Sequence, residues 1–303
     1  MLRGTLLYLA DRRSIRQFVT HNRLGRSSAR RFVAGETLDE AIQATRALNQ
    51  RGLTVSLDHL GENVTDAAEA ASAAQDYSKI LDAIKQSGLD ANISIKLTAL
   101  GLDIDADLCE ANVRQVLDRA KSYNIFVRVD MEGSAYTERT LKLVEKLRQD
   151  YEGVGTVIQS YLYRSAKDVE NLIASKTRAR LVKGAYKEPP EIAYPHKEDV
   201  DRNYQQLMRL LLTHGNYPAI ATHDVAMIQA AKTFTAENTI DKSRFEFQML
   251  YGIRRDLQEQ LIREGYNVRV YVPYGTQWYP YLTRRMAERP ANLIFVMSNA
   301  LRH

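Results

Sequence analysis

A chain of 303 residues, 45% hydrophobic and 26% charged, has the make-up of an ordinary globular protein and is long enough for one large domain. Its 42 Lys and Arg against 37 acidic residues leave a net charge of +5, but the two signs are interspersed, which points to a solvated surface and not to a nucleic-acid footprint. The single cysteine, Cys109, excludes a disulfide framework and a cysteine zinc site and indicates a reduced compartment, and no stretch approaches the roughly 18 consecutive apolar residues of a membrane-spanning helix.

In chain order, Leu6, Leu7 and Leu9, then Ile15, Phe18 and Val19, carry helical spacing. They predict a packed leading helix, although the Arg-rich stretch 12–31 partly resembles a transit peptide. Thr37-Leu-Asp-Glu40 reads as a capping box, with Thr37 accepting from the third helical amide and Glu40 reaching back. The helix it opens should bury Leu38, Ala41, Ile42 and Leu48 and end at Gly52. Residues 1–50 are thus expected to form helices packed on the domain that follows.

Short runs rich in Val, Ile and aromatics then alternate with helix-period segments such as Ala111–Lys121 and Arg255–Glu264. The strand candidates begin Leu53–Leu57, Ile93–Leu97, Ile125–Val129 and Thr156–Gln159. Arg180–Val182, Ala219–Thr222, Phe245–Gln248 and Val268–Val272 follow. Eight such βαβ repeats predict a closed parallel barrel, a (β/α)8 α/β fold of the TIM type, over residues 51–303. An open doubly wound sheet would usually carry a glycine-rich turn after its first strand, and no G-x-G-x-x-G occurs.

In such barrels the functional site lies at the carboxyl ends of the strands. The residues there are Asp58, Lys96, Asp130, Gln159, Lys183, His223, Gln248 and Tyr271. One polar residue where a strand meets a loop means little, but eight in register predict a ligand site. After the last strand, Tyr281, Arg284, Arg285 and Glu288 share one helical face. An exposed Arg–Glu pair would explain that face in isolation. Beside Tyr271 it suits a small substrate with a carboxylate, which guanidinium groups bind as a bidentate fork. The six histidines show no metal-ligand spacing, and no P-loop or G-x-S-x-G occurs, so no metal site is expected. Lys96 or Lys183 could by position be a Schiff-base lysine.

Four stretches in order, Arg180-Leu-Val-Lys-Gly-Ala-Tyr186, Ala221-Thr-His-Asp224, Phe245-Glu-Phe-Gln-Met-Leu-Tyr-Gly252 and Tyr281-Leu-Thr-Arg-Arg-Met-Ala-Glu-Arg289, resemble the proline dehydrogenases. The likeness runs from about Arg31 to Asn292. It implies a distorted (β/α)8 barrel holding FAD across the strand ends. Met131, Gln159, Lys183, Gly184, Ala185, Thr222 and His223 would touch the cofactor, with Lys197 reaching its pyrophosphate. Lys96, Tyr271, Arg284 and Arg285 would bind L-proline, with Glu288 facing the ring amine, and Asp130 and Arg180 match the positions treated as catalytic. Glu62 would pair with Arg284 or Arg285 and gate the pocket. The resemblance further implies hydride transfer from C5 of proline to flavin N5 and electron delivery to a membrane quinone from a cytoplasmic protein in peripheral contact with the bilayer. It fits the short monofunctional bacterial type, without the DNA-binding and aldehyde dehydrogenase modules of the largest members. A rival flavin barrel, of the methylenetetrahydrofolate reductase kind, would share the cofactor position without the paired arginines.

Overall fold

The computed structural model describes residues 30–62 and 64–288. The expected leading helix through Leu6 and Val19 lies outside them. Helix α1 (Leu38–Asn49) opens on the predicted capping box: Glu40 N donates to Thr37 Oγ1 at 3.3 Å, and Thr37 N donates to Glu40 Oε2 at 3.1 Å. Ala41 and Leu48 are fully buried, whereas Leu38 and Ile42 are half-buried. The helix stops at Asn49, and Gly52 takes up a left-handed φ of +77° in the turn to the first strand.

Eight strands follow: β1 (Thr54–His59), β2 (Ala91–Ile95), β3 (Val127–Val129), β4 (Val154–Gln159), β5 (Arg178–Val182), β6 (Ala219–Ala221), β7 (Glu246–Leu250) and β8 (Val268–Tyr274). Every neighbouring pair is parallel and β1 closes on β8, so the sheet is a barrel in sequence order. The crossovers are α2 (Ala67–Gln86), α3 (Ala106–Tyr123), α4 (Ser134–Arg148), α5 (Ser165–Ala174), α6 (Lys197–His214), α7 (Val225–Glu237) and α8 (Arg255–Arg263). All eight predicted strands are present. Strand bounds shift by up to two residues, and β1, β7 and β8 run two residues past their predicted ends because Asp58–His59, Met249–Leu250 and Pro273–Tyr274 keep pairing with their neighbours. Gln248, Tyr271 and Asp58 therefore lie within their strands, and Gln159 is the last residue of β4.

The strands alternate, which is unusual for a parallel sheet covered by helices. Val55, Leu57, Ile93, Ile95, Val127, Val129, Leu181, Phe247 and Val270 join the apolar layer against the helices. The intervening Ser56, Ser94, Arg128, Arg180, Glu246 and Gln248 are buried and polar. Most of them bond one another: Ser56 Oγ and Ser94 Oγ, on adjacent strands, lie 3.1 Å apart, and Arg180 Nη2 donates across the lumen to Ser94 Oγ at 3.1 Å.

The barrel is distorted at its seam. Helix α1, ahead of β1, packs on both β1 and β8. The helix after β8, α9 (Trp278–Glu288), packs in a separate apolar cluster with Phe32, Val33 and Leu60. Ala34 N donates to Pro273 O at 2.9 Å, Gly275 N to Gly35 O at 3.0 Å, and Trp278 Nε1 to Glu36 Oε1 at 3.0 Å. The segment 32–36 thereby fixes α9 near the carboxyl end of the barrel, where its Tyr281 enters the wall of the cavity there.

Candidate active site

A cavity of about 500 Å³ opens at the carboxyl ends of the strands. All eight polar residues read as strand ends line it, as do Met131, Arg180, Gly184, Ala185, Lys197 and Thr222. The backbone of Arg284, Arg285 and Glu288 belongs to α9, but their side chains lie outside the described residues.

The floor is a buried charge cluster. Arg180 reaches across the lumen with three of its nitrogens: Nε donates to Gln248 Oε1 at 2.5 Å, Nη1 to Asp130 Oδ1 at 2.7 Å, and Nη2 to Ser94. The other Asp130 oxygen accepts from Tyr271 Oη at 2.7 Å. Tyr271 also offers its ring face to Arg180, 5.2 Å from the guanidinium carbon. Lys96 Nζ donates to Asp58 Oδ1 at 2.6 Å and lies 3.9 Å from Glu62 and 4.0 Å from Asp130. Burial works against the charge on Lys96, yet Asp58, Asp130 and Glu62 together hold it well above the ordinary lysine range, so its head remains an ammonium. Burial and the Asp130 carboxylate push the Tyr271 phenol well above the tyrosine range, so it remains a donor. Asp130 thus gives one carboxylate oxygen to Arg180 and the other to Tyr271.

One side of the cavity is built differently. Lys183 Nζ pairs with Asp201 and, at 2.7 Å, with Asp224 Oδ2; Lys197, largely exposed, shares Asp201. Burial opposes ionisation of Asp201 and Asp224, but hydrogen bonds from the lysines bring both carboxyls below the usual aspartate range. Gly184 has φ +120°, and a Cβ there would come within 2.4 Å of the Tyr161 ring. Gln159 Nε2 donates to Glu132 O at 2.9 Å, and His223 Nε2 accepts from Leu250 N at 2.9 Å, which places the ring proton of a neutral His223 on Nδ1. Asp201, Asp224 and Ser94 were not anticipated from the sequence. The Lys197–Asp201 spacing of four on one helix was a readable signal for the first. Asp224, which follows Thr222 and His223 and caps α7, was readable as a helix start.

A family model described as Proline dehydrogenase matches residues 41–298. The chain is 44% identical over 304 residues to Proline dehydrogenase 1 of Bacillus subtilis strain 168, covering 100% of both. It is 43% identical over 307 residues to Proline dehydrogenase of Deinococcus radiodurans, covering 100% of this chain and 98% of that one. Among solved structures, proline utilization A (PutA) from Bdellovibrio bacteriovorus inactivated by N-propargylglycine is similar with a TM-score of 0.81 and 27% identity. That likeness covers 86% of this chain and 32% of the much longer one.

Proposed function

Because the chain belongs to the proline dehydrogenase family, we propose that it oxidises L-proline at the carboxyl mouth of the barrel with FAD as its resident cofactor and a quinone as electron acceptor. The observation that carries this reading is the buried Lys96–Asp58 and Arg180–Asp130–Tyr271 cluster in the floor of a cavity whose flank is glycine-bearing and lysine-rich. Such a flank suits a flavin dinucleotide. Gly184 leaves backbone open where any side chain would strike Tyr161. Lys183 and Lys197, held in place by Asp201 and Asp224, offer ammonium donors to a pyrophosphate, and Met131, Gln159, Ala185, Thr222 and His223 complete the wall. When bound, FAD would supply a two-electron acceptor at N5 for the hydride leaving C5 of proline, while the ring nitrogen releases its proton to solvent and the C5–N bond becomes the imine of Δ1-pyrroline-5-carboxylate.

The chain's own residues bind and orient. Arg284 and Arg285 hold the substrate carboxylate, a task for which a guanidinium fork is better suited than a lysine. Lys96 and Tyr271 line the pocket for the ring. Arg180 provides a fixed positive charge where negative charge develops on hydride arrival, an electrostatic role that needs no reorganisation. Asp130 holds both Arg180 and Tyr271 in place; with one oxygen committed to each, it serves as a positioning group and not as a proton acceptor.

Electrons pass to a quinone through peripheral contact between a cytoplasmic protein and the bilayer. Among the described residues no helix is long and apolar enough to cross a membrane. The test is turnover with L-proline and a soluble quinone analogue, the cyclic imine being trapped with an aminobenzaldehyde. One imine formed per quinone reduced is expected. Quinone reduction without the imine, or neither, would overturn the assignment.

A further inference from the structure

The opposite end of the barrel carries a second cavity, of about 390 Å³, that the chemistry above does not use. It is lined by Asn92 of β2, Arg128 of β3, Arg178 of β5, Glu246 of β7 and Arg269 of β8, with Lys85 and Asp90 contributing one charge of each sign. Arg269 is neutralised locally, its Nε lying 2.9 and 3.1 Å from the two oxygens of Glu246. The other two arginines form no ion pair among the described residues. Arg128 Nη1 donates instead to backbone oxygens, of Thr156 at 2.9 Å and of Arg178 at 2.7 Å. Phe126 lies between the two guanidiniums, 4.7 Å from that of Arg128 and 5.3 Å from that of Arg178, and Tyr217 also faces Arg178.

Arg128 is only 3% exposed, and its Nε donor is buried without a partner; the Oδ1 of buried Asn92 is equally unmatched. A half-turn of that amide presents a donor in its place. Burial first, and then the Arg180 charge, push Arg128 well below the ordinary guanidinium range; Arg269 acts in the same sense, while Glu246 and Asp130 oppose it. The chain makes room for this arrangement. A Cβ on Gly155 would come within 2.3 Å of Arg178 O and 2.7 Å of the Phe126 ring, so β4 carries glycine where the two arginines meet. A buried cation with an idle donor beside a second unneutralised cation is unfavourable unless something negative joins it.

We propose that this cavity is a binding site for a small oxyanion, a phosphate or a carboxylate group, held between Arg128 and Arg178 with Asn92 as a further donor. The site is separate from the proline-oxidising mouth and independent of how that mouth works. Its test is calorimetric titration of the flavin-loaded protein with sodium phosphate, and in a second arm with sodium acetate, at constant ionic strength in chloride. Saturable binding near one equivalent is expected, weakened at least about tenfold in Arg178→Gln, the loss of a charge-assisted hydrogen bond. Lys197→Gln, at the other mouth, should leave it unchanged. Tighter phosphate assigns the site to phosphoryl groups, and tighter acetate to carboxylates. Arg178→Lys keeps the charge without the fork and should weaken binding less, which keeps the test open if the glutamine variant fails to fold. Heat without saturation overturns the proposal. So does binding that survives Arg178→Gln or is abolished by Lys197→Gln.

Discussion

Asp130, Gln248 and Ser94 together fix Arg180, each accepting from a different guanidinium nitrogen. Asp130 gives one oxygen to Arg180 and the other to Tyr271. Replacing it with Asn leaves a single acceptor for two donors, so Arg180 loses its hold while the wall for the flavin stays intact. Asp130→Asn is expected to retain bound flavin and lower kcat by about 10²-fold, the scale for disturbing one preorganised electrostatic group. Its kcat/KM should fall in parallel across the pH range; disappearance of one limb of the pH profile would instead identify Asp130 as the proton acceptor. Gln248 accepts from Arg180 through Oε1 and donates through Nε2 to Glu246, which Arg269 in turn neutralises. Gln248→Leu should release Arg180 and reduce kcat/KM by about tenfold, an unbalanced buried donor being worth roughly 1–3 kcal/mol. Unchanged kinetics would show that Asp130 and Ser94 suffice to position the guanidinium. At this scale much was legible, because Asp58, Lys96 and Asp130 each follow an apolar strand and interrupt its pattern. The depth of Gln248 was not, since nothing in Phe245-Glu-Phe-Gln-Met-Leu250 marks where pairing stops.

The elements around the mouth show what periodicity can and cannot specify. The capping box of α1 is a local pattern within four residues, and it was read correctly from Thr37 and Glu40 alone. Two backbone hydrogen bonds, from Thr37 and Glu36, hold the Glu40 carboxyl below its usual 4.5. A depressed carboxyl contributes stability that is complete above the unfolded-state value and is lost as pH falls through the folded one. Glu40→Ala is therefore expected to destabilise the protein by about 1 kcal/mol at neutral pH, with the gap from the parent closing in thermal melts as pH falls below the ordinary glutamate value and through the depressed one. The placement of α9 was not legible. An amphipathic pattern states that a helix has an apolar face, but not whether that face meets the barrel wall or, as here, Phe32 and Val33. Gly184 belongs to this scale as well, since it sets the path of the chain leaving β5. Gly184→Ala combines a left-handed φ with a collision against Tyr161, a penalty of about 1–3 kcal/mol. It should weaken flavin retention at least about fivefold in a fluorescence titration of the apoprotein; unaltered affinity would remove the glycine from the cofactor wall.

Over the whole molecule, the arrangement is a barrel whose lumen is largely polar, with Val157 and Ala221 among the few apolar side chains facing it. Ser56, Ser94, Arg180, Gln248 and Glu246 fill the interior that branched aliphatic side chains occupy in many barrels of this type. Eight strands were legible because the apolar positions facing the helices and the polar positions facing the lumen both recur along the chain. What the lumen residues do was legible only in part, since bonds such as that from Arg180 to Ser94 join positions 86 residues apart. The polar lumen also separates two mouths of different character, one lined by a mixed-charge cluster and the other by three arginines of which, among the described residues, only Arg269 has a carboxylate partner. The central claim concerns the first mouth. The measurement that tests it most directly is anaerobic addition of L-proline to the purified protein while its visible absorbance is followed. A yellow protein whose blue-light absorption band bleaches rapidly on addition is the predicted result. A flavin band that L-proline leaves untouched, or a protein that neither carries flavin nor takes it up, would contradict the account.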